Sequence, residues 1–109
     1  MDIHVTARKI RIHTAVKEYA IANVIKFEHL FDHLQRCDII FSKDGKLNDT
    51  KVVEIILHIN GHFFTAKESS DDYHKSIDTA SEKVEHQLVT YKSKLGTRKR
   101  LSPKRKEKK

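Results

Sequence analysis

Residues 2–7 of the chain alternate polar and apolar side chains. Ile3, Val5 and Ala7 occupy every second position, and a period of two is typical of a strand that buries one face. The pattern predicts a first β-strand with these three side chains on one side.

The spacing changes to that of a helix at residue 14. From there to residue 31 apolar side chains recur at steps of three and four, as on one face of an amphipathic helix. The stripe consists of Val16, Ala20, Val24, Phe27 and Phe31. Either His13 or Thr14 stands where an N-cap is needed, and Thr14 has the better side chain for that role. We predict a helix over about 14–31.

Three later segments return to the period of two. Residues 36–42 and 53–59 alternate apolar and polar positions. The second of these runs into Asn60-Gly61, the pair that best tolerates the positive φ angles of a type I′ turn. We predict that residues 62–67 form the other arm of this antiparallel hairpin.

A longer helical pattern begins after Asp71 and Asp72, whose carboxylates suit a helix N-terminus. Its apolar positions are Tyr73, Ile77, Ala80, Val84, Leu88, Tyr91 and Leu95. Gly96 is a plausible stop signal. The predicted order is β-α-β-β-β-α, an α+β fold in which two helices cover one face of a four-stranded sheet.

Positive charge is concentrated at the end of the chain. Ten of the 22 Lys and Arg residues lie from residue 92 onward, opposed there by Glu107 alone, and this leaves 12 basic against 14 acidic residues before them. Residues 96–109 lack apolar periodicity, so we predict a disordered basic tail behind a folded domain of residues 1–95. Such a tail favours a polyanion such as nucleic acid. A solubilising tail is the alternative. A membrane is a less favoured partner because the tail has no aromatic residue or lipidation signal.

The residue types argue against an enzyme. The three glycines are too few and too far apart for a phosphate-binding loop or a dinucleotide fingerprint. Cys37 falls in a predicted strand, where a thiol is more often a core side chain than a nucleophile. The eight histidines provide pairs such as His29 and His33, whereas a metal site needs three or four ligands. We expect no catalysis, no cofactor, no metal and no small-molecule substrate.

We expect the protein to be cytoplasmic. Its first residues lack the apolar stretch of a secretory signal, and one cysteine cannot form an internal disulfide. No run approaches the ~18 apolar residues of a membrane span.

Several basic and polar side chains on the two predicted helices lie outside the apolar stripes. They are Lys17, Lys26, His29, Lys75, Lys83, His86, Thr90 and Lys94. They form either a platform for phosphates or an ordinary solvated surface balanced by nearby glutamates. Periodicity alone favours neither interpretation.

Five sequence blocks occur in a fixed order: Ile3-x-Val5-x-Ala7, Val16-Lys17-Glu18-Tyr19, Leu57-His58-Ile59-Asn60-Gly61, Asp72-Tyr73-x-x-x-Ile77-Asp78 and Glu82-Lys83-Val84-Glu85-His86-Gln87-Leu88. As a set they resemble the small ribosome hibernation promoting factors, also called ribosome-associated inhibitors or sigma-54 modulation proteins. The resemblance runs over residues 2–95. It implies a fold related to double-stranded RNA-binding domains and binding to the small ribosomal subunit, in the channel of messenger RNA and of the A- and P-site transfer RNAs. It also implies that the bound protein inhibits translation sterically and stabilises inactive ribosomes in stationary phase or stress.

The resemblance further implies positions that contact ribosomal RNA. Four lysines match basic positions of the family, two histidines stand where Lys or Arg is common, and four further cations lie at or near the beginning of the tail. The candidate rRNA-binding residues are Lys17, Lys26, His29, Lys83, His86, Lys92, Lys94, Arg98, Lys99 and Arg100. Asn23 and Thr90 also stand where a basic residue is common, so this helical surface is less cationic than is usual in the family.

The sequence leaves two questions about the partner and the function undecided. The partner is either single ribosomes held inactive or ribosome dimers formed with a helper factor. The alternative function is a general RNA-binding or RNA-chaperone module without ribosome specificity, in which the tail supplies sequence-independent affinity.

Overall fold

The computed structural model describes residues 1–44 and 50–100, with side chains as far as residue 94. Its elements in chain order are β1 (Asp2–Ala7), α1 (Thr14–Ile25), a 3-10 helix (Lys26–His29), β2 (Leu34–Asp44), β3 (Thr50–Ile59), β4 (His62–Ser70) and α2 (Tyr73–Arg100). The predicted β-α-β-β-β-α order is confirmed.

The four strands form one sheet in the order β1-β2-β3-β4. β1 runs parallel to β2, and the other two pairs are antiparallel. Two adjacent parallel strands require a crossover connection, and α1 lies within the connection from β1 to β2. Asn60 and Gly61 join β3 to β4 with φ angles of 47° and 79°, the positive values of a type I′ turn. The predicted hairpin is therefore confirmed.

One hydrophobic core lies between the sheet and the two helices. The strands supply Cys37, Ile39, Phe41, Val53, Ile55, Leu57, Ile59 and Ala66, and the helical segments supply Ala20, Val24, Phe27, Ile77, Ala80, Val84 and Leu88. Because both helices pack in the same cluster as one side of each strand, they cover one face of the sheet, as predicted. Full burial of one Leu, Ile or Phe side chain contributes roughly 1.5–3 kcal/mol, so this face is the main source of stability.

The opposite face of the sheet is covered by neither helix. Asp38 there accepts a hydrogen bond from the Arg36 guanidinium at 3.0 Å and lies 3.0 Å from His58 Nε2. Burial acts to raise the pKa of the Asp38 carboxyl, but the bonds to Arg36 and His58 outweigh it and hold this pKa below its ordinary value. Phe63 packs edge-on against His58 and is 64% exposed. This face therefore combines a satisfied ion-pair network with one exposed aromatic ring.

The end of the first helix differs from the prediction. α1 stops at Ile25, and the 3-10 helix follows, in which the Leu30 N–H donates to the Phe27 carbonyl at 2.9 Å. A tightened last turn is common at helix C-termini. Apolar periodicity does not reveal it, because Phe27 stays buried in either geometry.

The preference for Thr14 as the cap of α1 is also wrong. His13 is the N-cap, and its side chain makes no capping bond. Its carbonyl accepts the Val16 N–H at 3.0 Å. The backbone therefore begins this helix without the side-chain oxygen that the prediction used.

Three strands are longer than predicted. The register of β2 shifts between Leu34 and Arg36, and the extra residue breaks the alternation on which the prediction rests. β3 and β4 extend because their polar ends also pair, with Lys51 opposite Ser70. Backbone pairing does not require apolar side chains, so periodicity underestimates strand length.

The predicted stop at Gly96 is wrong, because α2 continues to Arg100. The backbone of residues 96–100 is helical, residues 101–109 lie outside the described part, and the disorder of the tail stays a prediction. Glycine within a helix costs about 1 kcal/mol relative to alanine, which a long helix tolerates. The boundary between domain and tail at residue 95 stays a prediction.

Cys37 provides a test of how closed the core is. Its side chain is fully buried, and burial, with a smaller contribution from the charge of Asp38, raises the pKa of its thiol to about 12. The thiolate is the reactive form, so at pH 8 we expect a maleimide to label the native protein at least about 10³-fold more slowly than the denatured protein. Timed mass spectrometry measures both rates. Equal rates in native and denaturing buffer would contradict the burial of this side chain.

Candidate nucleic-acid interface

The N-terminus of α2 is fixed by hydrogen bonds. The Asp72 carboxylate accepts the His74 N–H at 3.0 Å, which confirms the predicted cap, and this bond is the largest cause that holds the pKa of Asp72 below its ordinary value. One turn later the buried Ser76 hydroxyl donates to the Lys51 carbonyl of β3 at 2.8 Å. These contacts set the position of the helix, and of every side chain along it, relative to the sheet.

The groove between α1 and α2 is acidic. Asp78, Glu82 and Glu85 line it from α2, and the cation among its lining side chains is Lys26. The Tyr19 hydroxyl of α1 donates to Asp78 at 2.5 Å, and this bond, ahead of burial, raises the pKa of Tyr19. Like charges repel, so the groove between the helices is unfavourable for a phosphate backbone.

The other side of α2, toward β4, differs in charge. A groove there has no carboxylate among its lining side chains, which are Phe64, His86, Gln87, Thr90, Tyr91 and Lys94. Lys83 lies near it along the helix and reaches β4. We call Lys83, His86, Lys94 and this groove the β4 flank of α2. Three of the predicted residues are therefore brought together on one surface.

An ion pair positions Lys83 on this flank. Its Nζ lies 2.6 Å from Glu68 Oε2, and the Lys83 side chain is still 58% exposed. The Glu68 side chain is 22% exposed, and an ion pair at a protein surface contributes only about 0–1 kcal/mol, so the exposed side of the Lys83 ammonium stays accessible to a phosphate. The pair therefore orients the ammonium without removing it from binding.

The predicted residues of the first helix do not share a surface. Lys17 and Lys26 are nine positions apart, which is about 180° around an ideal helix. Lys26 faces α2 and lines the acidic groove, whereas Lys17 is exposed on the other side. His29 is exposed at the end of the 3-10 helix. The structure thus does not join these three to the β4 flank in one platform.

The remaining predicted residues follow the C-terminal part of α2. Lys92 is exposed and comes seven positions after Glu85, so it lies on the side of the helix that faces α1. Arg98, Lys99 and Arg100 belong to the helix by their backbone, and their side chains lie outside the described residues.

The sequence pattern missed the surface role of Tyr91. It predicts this ring as part of the buried stripe, but the ring is half-buried and lines the groove of the β4 flank. Its centroid lies 5.4 Å from that of Phe64, 5.3 Å from that of His62 and 5.9 Å from that of Phe31. The length of the apolar stripe on α2 could have indicated this exposure, because a helix that extends past the end of its sheet leaves its last apolar side chains partly exposed.

Two further findings concern the described residues, 1–44 and 50–100. No group of three or more His, Cys, Asp or Glu side chains in them is arranged to hold a metal ion. Neither of their helices is long and apolar enough to span a bilayer.

The chain is similar to known proteins over most of its length. A family model described as Sigma 54 modulation protein / S30EA ribosomal protein matches residues 3–96. The Ribosome hibernation promoting factor of Escherichia coli (strain K12) is 28% identical over 95 residues, which cover 87% of this chain and 97% of that protein. A ribosomal subunit interface protein from Coxiella burnetii superposes with a TM-score of 0.75 at 29% identity, over 85% of this chain and 99% of that one. The N-terminal domain of Thermus thermophilus Protein Y shares the fold, with a TM-score of 0.73 at 21% identity over 84% and 99% of the two chains.

The variant Glu68→Gln tests whether Lys83 is available to RNA. Removing the carboxylate that holds Lys83 frees its ammonium, so we expect affinity for a structured RNA to rise by about 1.5–5-fold, the equivalent of the ~0.2–1 kcal/mol of an exposed ion pair. Fluorescence anisotropy with a labelled RNA measures the affinity.

The matched control for this prediction is Glu54→Gln. It makes the same change of charge on β3, at a position that faces away from the helices. We expect a smaller effect from it. Equal tightening by both variants would mean that net charge, and not the release of Lys83, controls the affinity.

Proposed function

The chain belongs to the family of Sigma 54 modulation proteins and S30EA ribosomal proteins, and we propose that it is a ribosome hibernation factor that binds the small ribosomal subunit. It occupies the channel of messenger RNA and of the A- and P-site transfer RNAs and inhibits translation sterically. It stabilises inactive cytoplasmic ribosomes in stationary phase or stress. Its action is occupancy of a site, with no bond made or broken.

The observation that carries this proposal is the extent of the family match. The match covers residues 3–96, and thus all of the described strands except Asp2, the whole of α1 and α2 as far as Gly96. The Escherichia coli relative, named for ribosome hibernation, is covered over 97% of its own length. The shared part is therefore a whole folded unit and not a single motif, which supports a shared partner.

The charge distribution supports the β4 flank of α2 as the contact with ribosomal RNA. Lys83 and Lys94 extend from this flank, whereas three carboxylates line the groove on the other side of the helix. A helix is about 10 Å across and the Debye length is about 8 Å at physiological salt. The Asp78 carboxylate is therefore largely screened from phosphates at Lys94, whereas His86 also borders Glu82 and Glu85, so the two lysines supply most of the attraction.

The basic residues that follow α2 supply a second, less specific attraction in this proposal. Five cations lie between residues 101 and 109, opposed by Glu107 alone. Dense Lys and Arg residues release counterions from a phosphate backbone, so this attraction weakens as salt rises. Specificity for the ribosome then comes from the folded part, and the tail adds affinity.

The experiment that tests the proposal is sedimentation of the full chain with purified bacterial ribosomes and with separated subunits at physiological salt. Naked structured RNA is added as competitor, and translation in vitro is measured in parallel. We expect saturable one-to-one binding to the small subunit together with loss of translation. Binding that naked RNA removes equally well, with translation unaffected, would favour a general RNA-binding module and contradict the proposal.

Lysine variants test the surface that makes the contact. We expect Lys83→Gln and Lys94→Gln each to lower the slope of log affinity against log salt by about 0.7–0.9, because each removes one phosphate contact. Binding of the small subunit across a salt series gives the slope. Lys67→Gln is the matched control, since Lys67 is exposed on β4 and faces away from the helices. The same loss of slope in all three variants would contradict the assignment of the β4 flank.

A further inference from the structure

We propose that the groove of the β4 flank binds an unpaired nucleotide of RNA, with its base stacked on the Tyr91 ring and its phosphate beside the Lys94 ammonium. This inference rests on the proposed function, because it specifies which feature of an RNA the flank recognises.

The Tyr91 ring is held in place before any ligand is bound. Phe64, His62 and Phe31 pack around it at centroid distances of 5.3–5.9 Å. The Asn60 side-chain amide, in the turn between β3 and β4, donates to the Tyr91 hydroxyl at 3.5 Å. A ring that is fixed in advance loses little conformational entropy on binding. Part of this ring nevertheless remains open to the groove.

The groove beside the ring matches the chemistry of a nucleotide. Lys94 contributes an ammonium, and His86 and Thr90 contribute polar side chains, with no carboxylate in the lining. The Gln87 amide is already engaged, since it donates to the Thr65 carbonyl of β4 at 2.9 Å. A nucleobase offers a π-face to an aromatic side chain and its phosphate offers an anion to the cation. The acidic groove on the other side of α2 also has an aromatic ring, Tyr19, but this ring's hydroxyl is bonded to Asp78 and three carboxylates there outnumber Lys26.

The shape of the site selects an unpaired base. Tyr91 lies on a helix and Phe64 on the adjacent strand, so the ring is at the side of a groove and not on a flat surface. Bases within a duplex are covered above and below by their neighbours, whereas splayed bases in loops and bulges stack on aromatic side chains. A loop, bulge or single-stranded segment therefore reaches this ring, and a regular duplex does not.

The test compares two ligands of equal charge on the full chain. One is a single-stranded RNA of five nucleotides, and the other is the same ribose-phosphate chain without bases. For Tyr91→Leu, which keeps an apolar side chain but removes the ring, we expect affinity for the RNA to fall by about 5- to 150-fold, the range for loss of one stacked base. Affinity for the abasic chain is expected to stay within about twofold, since phosphate contacts are retained.

Two conservative variants distinguish the loss of the Tyr91 ring from a loss of folding. Tyr91→Phe and Tyr91→Trp keep an aromatic ring and are expected to retain RNA affinity. The chain has no tryptophan, so Tyr91→Trp also introduces a single tryptophan, whose fluorescence the RNA, and not the abasic chain, is expected to quench. Phe63→Leu is the matched control, because it removes an exposed aromatic ring from the opposite face of the sheet. It is expected to leave both affinities unchanged.

The outcomes separate this inference from the proposed function. Equal losses for the RNA and the abasic chain in Tyr91→Leu, or no loss for either, would overturn stacking. Competition by an acidic peptide, oligoglutamate, as strong as that by the RNA would also overturn it, since the flank would then recognise charge alone. Intact small-subunit binding with no base-dependent effect contradicts only the inference. Base-dependent binding of the RNA without binding of the small subunit contradicts only the proposed function.

Discussion

Burial of one face of the sheet is the constraint on which the rest of the structure depends. Two helices, each with one apolar stripe, cannot cover both faces of four strands, so both lie on the face that holds Ile39, Ile55 and Leu57. The two helices lie side by side. Each therefore has one side on the core, one side toward the other helix and one side toward solvent or the edge of the sheet. α2 thus borders α1 on one side and β4 on the other. These two sides differ in charge. Three carboxylates and Lys26 line the side toward α1, whereas the side toward β4 has two lysines and the Tyr91 ring, with Glu68 paired to one of the lysines.

This division explains how residues 1–95, with 14 basic and 14 acidic residues, present exposed lysines on one side of α2. Net charge averages over all directions, whereas a phosphate at contact distance interacts mainly with the charges within one Debye length. The carboxylates of Asp78 and Glu85 lie near Tyr19 of α1 and Lys26 of the 3-10 helix. The β4 flank is left with its ammonium groups exposed. Position on the helix, more than composition, therefore decides which polymer the surface favours.

The sequence predicted the order of elements, the buried stripes, the hairpin turn and the cap at Asp72, because each depends on local spacing or on the chemistry of one or two residues. It did not predict the 3-10 turn or the shift of strand register near Leu34. Apolar periodicity reflects which side chains are buried and not which backbone groups are hydrogen-bonded. The continuation past Gly96 shows that one poor helix former does not end a helix whose neighbours favour it. The separation of Lys26 from the β4 flank, and the pairing of Lys83 with Glu68, depend on how two helices lie on a sheet. No local pattern contains that information.

The length of α2 has a mechanical consequence. Its 28 residues correspond to about 42 Å, whereas a strand of ten residues spans about 33 Å. The last turns therefore project beyond the sheet as a rod, which carries Arg98 and Arg100 some 15–18 Å past Leu88. A flexible segment would give these residues only an average distance from the core. In a helix each backbone position also has a defined angle around the axis, so one inserted residue would rotate every later position by about 100° and advance it by about 1.5 Å. The number of residues in α2 thus determines both how far its last residues lie from the sheet and at which angle around the helix axis each of them lies.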